Sequence, residues 1–244
     1  MTGRLHEFAA VLFDLDGVLT MTMPIHARCW KTMFDAYLQE RAARLGGDWR
    51  PFSIDNDYLV HVDGKLRQDG VRAFLASRGI EIAEGRPEDG PERETVYGLG
   101  NRKDRLFGEL LARDGVEILA GSLQLLHRVR DWGLKTAVVS ASKNCRRILQ
   151  SAGIEPLFDT VVDGLVAARL GLPGKPDPAT YLEAARQLGV TAAAAVVIED
   201  AVAGVEAGRA GQFGLIIGID HHGDPQTLRQ HGADIVVTDL AELF

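Results

Sequence analysis

The chain has 244 residues, 46% of them apolar and 25% charged, with a formal net charge of −7. That length suits one domain with an insertion, or two modest domains, and supplies enough apolar material for a sizeable core. The acidic balance argues against nucleic acid as a partner, although a local cluster of lysines can still dominate a pocket for a small anion. The two cysteines, Cys29 and Cys145, lie far apart and form no metal-type pair, which argues against a disulfide framework and fits a reducing compartment. The N-terminus lacks the long apolar region of a signal peptide, and no apolar stretch approaches the ~20 residues of a membrane span. The expectation is a soluble cytoplasmic protein with no membrane partner, monomeric by default.

The first predicted strand is "AAVLFD" at 9–14. It is followed by a segment, 23–114, without strong strand runs. That segment opens with the helical pattern "PIHARCWKTMFDAYLQERAARL" and carries "EGRPEDGPERET", whose Gly, Pro and Glu predict a solvated loop. Beyond it come the apolar runs "LKTAVVSAS" (134–142), "DTVVDG" (159–164), "AAAVVIED" (193–200), "FGLIIGID" (213–220) and "ADIVVTD" (233–239). Continuous β-branched runs of this length fit strands buried on both faces. Helical patterns lie between them, "SLQLLHRVRDWG", "KNCRRILQSAGI", "PATYLEAARQLGV" and "AVAGVEAGRAG", several closing on glycine as helix C-termini do. Alternating strand and helix predicts an α/β fold with a doubly wound parallel sheet. The predicted core domain is 1–22 with 115–244. The predicted second domain, a smaller helical cap over one end of the sheet, is 23–114, inserted after the first strand.

In open parallel sheets reactive groups gather beyond the carboxyl ends of the strands. Here the first strand end supplies Asp14 and Asp16, the second Ser140, Ala141, Ser142, Lys143 and Asn144. "GKPDP" brings Lys175 after the third, and "IED" brings Glu199 and Asp200 after the fourth. Desolvating two carboxylates as close as Asp14 and Asp16 is costly without a cation nearby. Four carboxylates suit one hard cation such as Mg²⁺, and two lysines with a serine hydroxyl suit the oxygens of a phosphate. With a cation present, one aspartate can stay ionised and attack phosphorus, a known route to a covalent intermediate. The other, two residues on and on the same side of an extended backbone, can work as acid and base if its pKa is raised.

"FDLDGVLT", "SASKN", "GKPDP" and "IEDAVAG", in that order and each at a strand end, resemble the haloacid dehalogenase superfamily over nearly the whole chain. The resemblance implies a Rossmann-like core, Asp14 as nucleophile and Asp16 as acid/base. It also implies Ser140 and Lys175 on the phosphoryl group, and Mg²⁺ held by Asp14, the Asp16 carbonyl and Asp200 with Glu199 alongside. "SASKN" is similar to the β-phosphoglucomutase-like branch, which has a helical cap. His26 falls where that branch has a hinge histidine, with Trp30 and Lys31 following. "VDGKLRQDG" resembles its sugar-phosphate loop, implying substrate contacts from Gly64, Lys65 and Arg67, and "NRKD" places Lys103 at its cap lysine. Ser142, Lys143 and Asn144 would add contacts. The chain departs from the pattern at Met21, where an acidic residue is usual, at Asp63 in place of lysine, and at Gly70 in place of serine. The stretch from Trp30 to Gly64 is also longer than the branch's pattern.

The expected partner is a small phosphorylated sugar. A sugar hydroxyl as phosphoryl acceptor makes the protein a mutase moving phosphate between C1 and C6 of β-glucose, whereas water makes it a sugar-phosphate phosphatase. A non-catalytic sugar-phosphate sensor is a more distant alternative. Simpler roles stand beside each assignment: turn aspartates, an N-cap for Glu199-Asp200, and solvated charges for Lys175, Arg67 and Lys103. His221-His222 reads as plain loop, because adjacent histidines diverge and no third metal ligand is apparent. "GLPGKPD" lacks the Ser or Thr of a phosphate-binding P-loop, and "GLGNRK" lacks the third glycine of a dinucleotide fingerprint.

Overall fold

Six uninterrupted apolar runs form strands, as they must if both faces are to be covered. They are β1 (Ala10–Phe13), β2 (Lys135–Val139), β3 (Thr160–Val162), β4 (Ala195–Glu199), β5 (Leu215–Ile219) and β6 (Ile235–Val237). The computed structural model describes residues 2–46 and 49–244. The strands make one parallel sheet in the order β3-β2-β1-β4-β5-β6. β1 lies in the middle, with Ala10 opposite Lys135 on one side and Ala195 on the other. Its four residues and the five of β4 are all buried. The chain winds outward from β1 to β3 on one side and from β4 to β6 on the other. The winding therefore reverses between β1 and β4, the place where open parallel sheets bind their ligands beyond the carboxyl ends.

The helices at Ala120–Asp131, Cys145–Ser151, Ala179–Leu188 and Val202–Ala210 correspond to the four predicted patterns. Two shorter helices, Gly164–Leu170 and Pro225–Gln230, did not stand out in the sequence. Each is marked by an aspartate N-cap: Asp163 accepts from the amides of Leu165 and Val166, and Asp224 from that of Thr227. Tyr181, Ala184, Ala185 and Leu188 of one helix, with Val205 and Ala207 of another, pack on Leu12, Val139 and Val197 of the sheet.

The chain divides into two compact units, Met1–Met21 with Val116–Phe244, and Thr22–Gly115. The second unit is helical, with its longest helices at Met23–Leu45, Arg67–Ser77 and Val96–Asp114. Its core is an aromatic cluster in which the Phe34 ring lies 5.3 Å from Trp30, 5.2 Å from Phe52 and 4.1 Å from Phe74. The long stretch between Trp30 and Gly64 is tied down by polar side chains. Asp35 accepts from the Phe52 amide at 2.7 Å, and Asp57 takes the Ser53 amide at 2.8 Å and the Arg78 guanidinium at 2.6 Å. Gly70 is buried in tight packing, and a Cβ there would stand 3.3 Å from Val62 and 3.5 Å from the Trp30 ring, so a side chain needs Val62 to shift by a few tenths of an ångström.

The segment 84–95 is solvated loop, as its composition predicts, and it is also anchored by side chains. Glu94 accepts from the Tyr37 hydroxyl at 3.0 Å and from Arg41 and Arg44, and Asp89 accepts from Thr95 at 2.7 Å. The prolines and glycines set a turn that returns Glu94 to the helix Met23–Leu45. Among the described residues, no helix is long and apolar enough to cross a membrane.

Candidate active site

Asp14 leaves the end of β1, its amide donating to Ile198 of β4 at 3.0 Å. The chain then turns tightly. The Gly17 amide donates to the Thr20 carbonyl at 2.7 Å, and the Leu19 and Thr20 amides both reach the Leu15 carbonyl. Gly17 takes φ +84°, and a Cβ at this position would overlap the Asp200 carboxylate. Only glycine meets both demands. The glycine of "DLDG" thus lets the first loop close against the fourth strand's end.

Lys175 is 5% exposed, and its ammonium has three acceptors: Asp14 Oδ1 at 2.5 Å, Glu199 Oε1, and the Val139 carbonyl at 3.3 Å. The Asp14 carboxylate is held at both oxygens, because its Oδ2 accepts the Asp16 amide at 2.9 Å. Glu199, fully buried, also accepts the Tyr181 hydroxyl at 2.6 Å and the Ala201 amide at 3.3 Å. A Cβ at Gly204, the last residue of "IEDAVAG", would overlap the Glu199 carboxylate.

Asp14, Glu199 and Asp200 each offer an oxygen within 4.8 Å of the others. The lysine neutralises one of these three charges. Burial pushes the Asp14 carboxyl up to about 8; Lys175 opposes this, and Glu199 and Asp16 add to it. The surplus negative charge in a buried oxygen-lined trio fits a hard divalent cation such as Mg²⁺. The simpler reading of Glu199-Asp200 as a helix cap does not fit, since the N-cap of Val202–Ala210 is Ala201.

Ser140, 4% exposed, follows β2 directly, with its amide on the Val162 carbonyl at 3.0 Å. Its Oγ accepts the Ser142 amide at 3.1 Å, and the Ser142 Oγ accepts the Asn144 amide at 3.1 Å. The two serines shape the loop through Ala141 and Lys143 as successive turn acceptors. Gly164 closes on that loop; a Cβ there would press on the Ala141 carbonyl and stand 3.1 Å from the Lys143 stem. "GKPDP" does not stand at a strand end as expected, because the helix Gly164–Leu170 separates it from β3. Lys175 Nζ nevertheless reaches back to Val139, the residue before Ser140, so the four motifs converge in one unit.

The predicted residues of the helical unit have their own partners within it. Lys103, 5% exposed, meets His26 Nδ1 at 2.5 Å and lies over the rings of Trp30 and Phe107. His26 is therefore no exposed helix histidine; it stacks on Phe107 at 4.2 Å. Arg67 pairs with Asp104 at 2.8 Å, and Lys65 donates to the Val60 carbonyl at 3.1 Å. Gly64 has φ +68°, which sets the turn before Arg67.

Sequence reasoning missed Tyr181 and His221. Tyr181 reads as a core position of an amphipathic helix, and burial together with Glu199 raises its phenol well above the ordinary value, so it remains a donor. Tyr181→Phe leaves the volume and removes that donor. It is expected to cost about 1–2 kcal/mol, measured by urea unfolding. His221 lies in a loop, as read, but its Nε2 meets the Gly17 carbonyl at 2.6 Å, a contact the sequence did not indicate.

The family model for haloacid dehalogenase-like hydrolases matches residues 8–212. The chain belongs to that family. It is 52% identical over 245 residues to a beta-phosphoglucomutase of Mycobacterium bovis, covering 99% of this chain and 94% of the relative. It is 29% identical over 231 residues to a phosphorylated carbohydrates phosphatase of Thermotoga maritima, with 93% of each chain covered. Among solved structures, the beta-phosphoglucomutase of Clostridium difficile superposes with a TM-score of 0.74 at 26% identity, over 97% of this chain and 93% of that one. The protein is thus a haloacid dehalogenase-type enzyme whose relatives include both a mutase and a phosphatase.

Proposed function

We propose that the protein is a Mg²⁺-dependent β-phosphoglucomutase, converting β-glucose 1-phosphate to glucose 6-phosphate through phosphorylated Asp14. The observation that carries phosphoryl transfer is the buried Asp14 carboxylate fixed between Lys175 and the Asp16 amide, with Glu199 and Asp200 beside it. Asp14 attacks phosphorus, forming a carboxylate–phosphorus ester as the bond to the leaving oxygen breaks. Asp16 gives a proton to that oxygen and takes one back from the hydroxyl that next receives the phosphoryl group.

Asp14, the Asp16 carbonyl, Asp200 and Glu199 are the groups suited to hold Mg²⁺. When bound, the ion would balance the carboxylates and draw charge from the transferring group. Ser140, the Ala141 amide and the side chains of Ser142, Lys143 and Asn144 suit the phosphoryl oxygens, while the Ser142 and Asn144 amides are taken up within the loop. Lys175 already directs its ammonium to three protein acceptors, so a phosphate contact requires exchange of one of them.

In the helical unit, His26, Gly64, Lys65, Arg67 and Lys103 are assigned to the sugar phosphate, Arg67 through its planar fork. The choice of a sugar hydroxyl over water rests on the likeness to the mycobacterial mutase.

The test is turnover of β-glucose 1-phosphate with Mg²⁺, following glucose 6-phosphate and inorganic phosphate together. A mutase forms the isomer, is stimulated by the 1,6-bisphosphate and releases little phosphate. Predominant phosphate release establishes the phosphatase instead. EDTA is expected to abolish turnover and Mg²⁺ to restore it; undiminished activity in the chelator would overturn the metal assignment.

A further inference from the structure

The loop after β5 enters the site through one side chain. Asp220, 8% exposed at the strand's end, accepts the His222 amide at 2.9 Å, a turn that fixes the backbone on either side of His221. The half-buried His221 ring points its Nε2 at the Gly17 carbonyl, 2.6 Å away. A carbonyl oxygen only accepts, so Nε2 carries the hydrogen. Gly17 is then held on three sides: its amide on Thr20, its Cα against the Asp200 carboxylate, and its carbonyl under His221. The residue before it is Asp16, whose own amide is bonded to Asp14. The peptide plane before Asp16 is set by its own amide on Asp14 and the plane after it by the Gly17 amide on Thr20; His221 holds the next plane, Gly17–Val18, and so braces the turn that carries Asp16.

We propose that His221 is a positioning residue, whose Nε2–H holds the Gly17 carbonyl and so aims Asp16 at the oxygen it protonates. The proposal rests on Asp16 acting as acid and base, and its geometry lies wholly in the core unit. Proton transfer requires the carboxyl within hydrogen-bond reach of the moving proton, and a small displacement of the loop lowers kcat without touching substrate binding.

Three variants test it. Glutamine places an amide N–H near the position of Nε2, asparagine near that of Nδ1, and alanine places none. With β-glucose 1-phosphate, His221→Ala and His221→Asn are expected to lower kcat about tenfold with KM little changed, the effect of one lost hydrogen bond. His221→Gln should recover kcat to within about threefold, and all three should melt near the wild-type temperature. Amide hydrogen exchange over residues 16–20 should quicken in the alanine and asparagine variants and return toward wild type with glutamine. That readout needs no turnover.

Wild-type kcat and unchanged exchange in His221→Ala would overturn the proposal. So would equal losses in glutamine and asparagine, or losses that track the melting temperature. A wild-type protein inert toward phosphate esters refutes the phosphoryl-transfer reading instead. The exchange measurement then still decides whether His221 holds the loop.

Discussion

Asp14→Asn is expected to abolish turnover, by roughly 10⁴-fold or more, because an amide nitrogen replaces one of the two oxygens and the group can no longer be esterified to phosphorus. The same variant is expected to fold, and its stability relative to wild type should grow with pH. In the folded protein the Asp14 carboxyl is pushed from 3.8 up to about 8, first by burial and then by Glu199 and Asp16, with Lys175 opposing. Between those values the folded state binds the proton and the unfolded chain does not. Wild-type stability therefore falls as pH rises through that window. Asparagine has no proton to lose, so that fall is absent from the variant. Melting curves with EDTA at pH 5 and pH 8 measure the difference. A variant that turns over at the wild-type rate would remove Asp14 from the reaction. A protein without turnover in either form, whose response to sugar phosphate survives the substitution, would be a sensor.

The second large effect is on Lys175. Its ammonium is the protein's own countercharge to Asp14 and Glu199, in a place with almost no access to water. Lys175→Met keeps the stem and deletes the charge, leaving buried Glu199 without its cation beside the Asp14 carboxyl. The expected destabilisation is about 3–5 kcal/mol in denaturant unfolding near neutral pH. Activity should fall by about 10²–10³-fold, since the charge facing the reacting carboxylate is gone. Added Mg²⁺ should recover part of the stability and little of the rate. A variant as stable as wild type at pH 8 would show that Asp14 and Glu199 do not depend on this lysine.

Much of this arrangement was legible in the chain. Strand runs such as "AAVVIED" are apolar throughout and end in charge, and a buried parallel strand forces that pattern. Asp14, Glu199 and Asp200 could be gathered in advance because the doubly wound topology sends every strand end to one edge. Ser140 followed by the same rule. Lys175, by contrast, lies beyond the helix Gly164–Leu170 and was placed by the resemblance of "GKPDP". Three features were hidden for distinct reasons. Tyr181 satisfies helical periodicity as an apolar residue would, and nothing near it in sequence says that its hydroxyl meets Glu199. His221 finds its partner 204 positions earlier, a pairing set by strand order and not by any local pattern. Glu94 lies in a segment with the composition of solvated loop, and its role appears only once Tyr37, Arg41 and Arg44 line one face of a helix. Local chemistry marks the ends of elements well. It says little about contacts that depend on which element comes to lie beside which.

The central place of β1 has a consequence for how the molecule is made. This strand is made long before its neighbours, which are encoded far downstream, β2 past residue 134 and β4 past residue 194. The helical unit, by contrast, is one unbroken piece of chain that is complete before either neighbour emerges. During synthesis the inserted unit can therefore settle first, while the nascent Ala10–Phe13 segment waits with its backbone bonds unmade. A nascent chain stalled before β4 would carry an apolar strand with one flank unprotected, the kind of segment that chaperones and aggregation compete for.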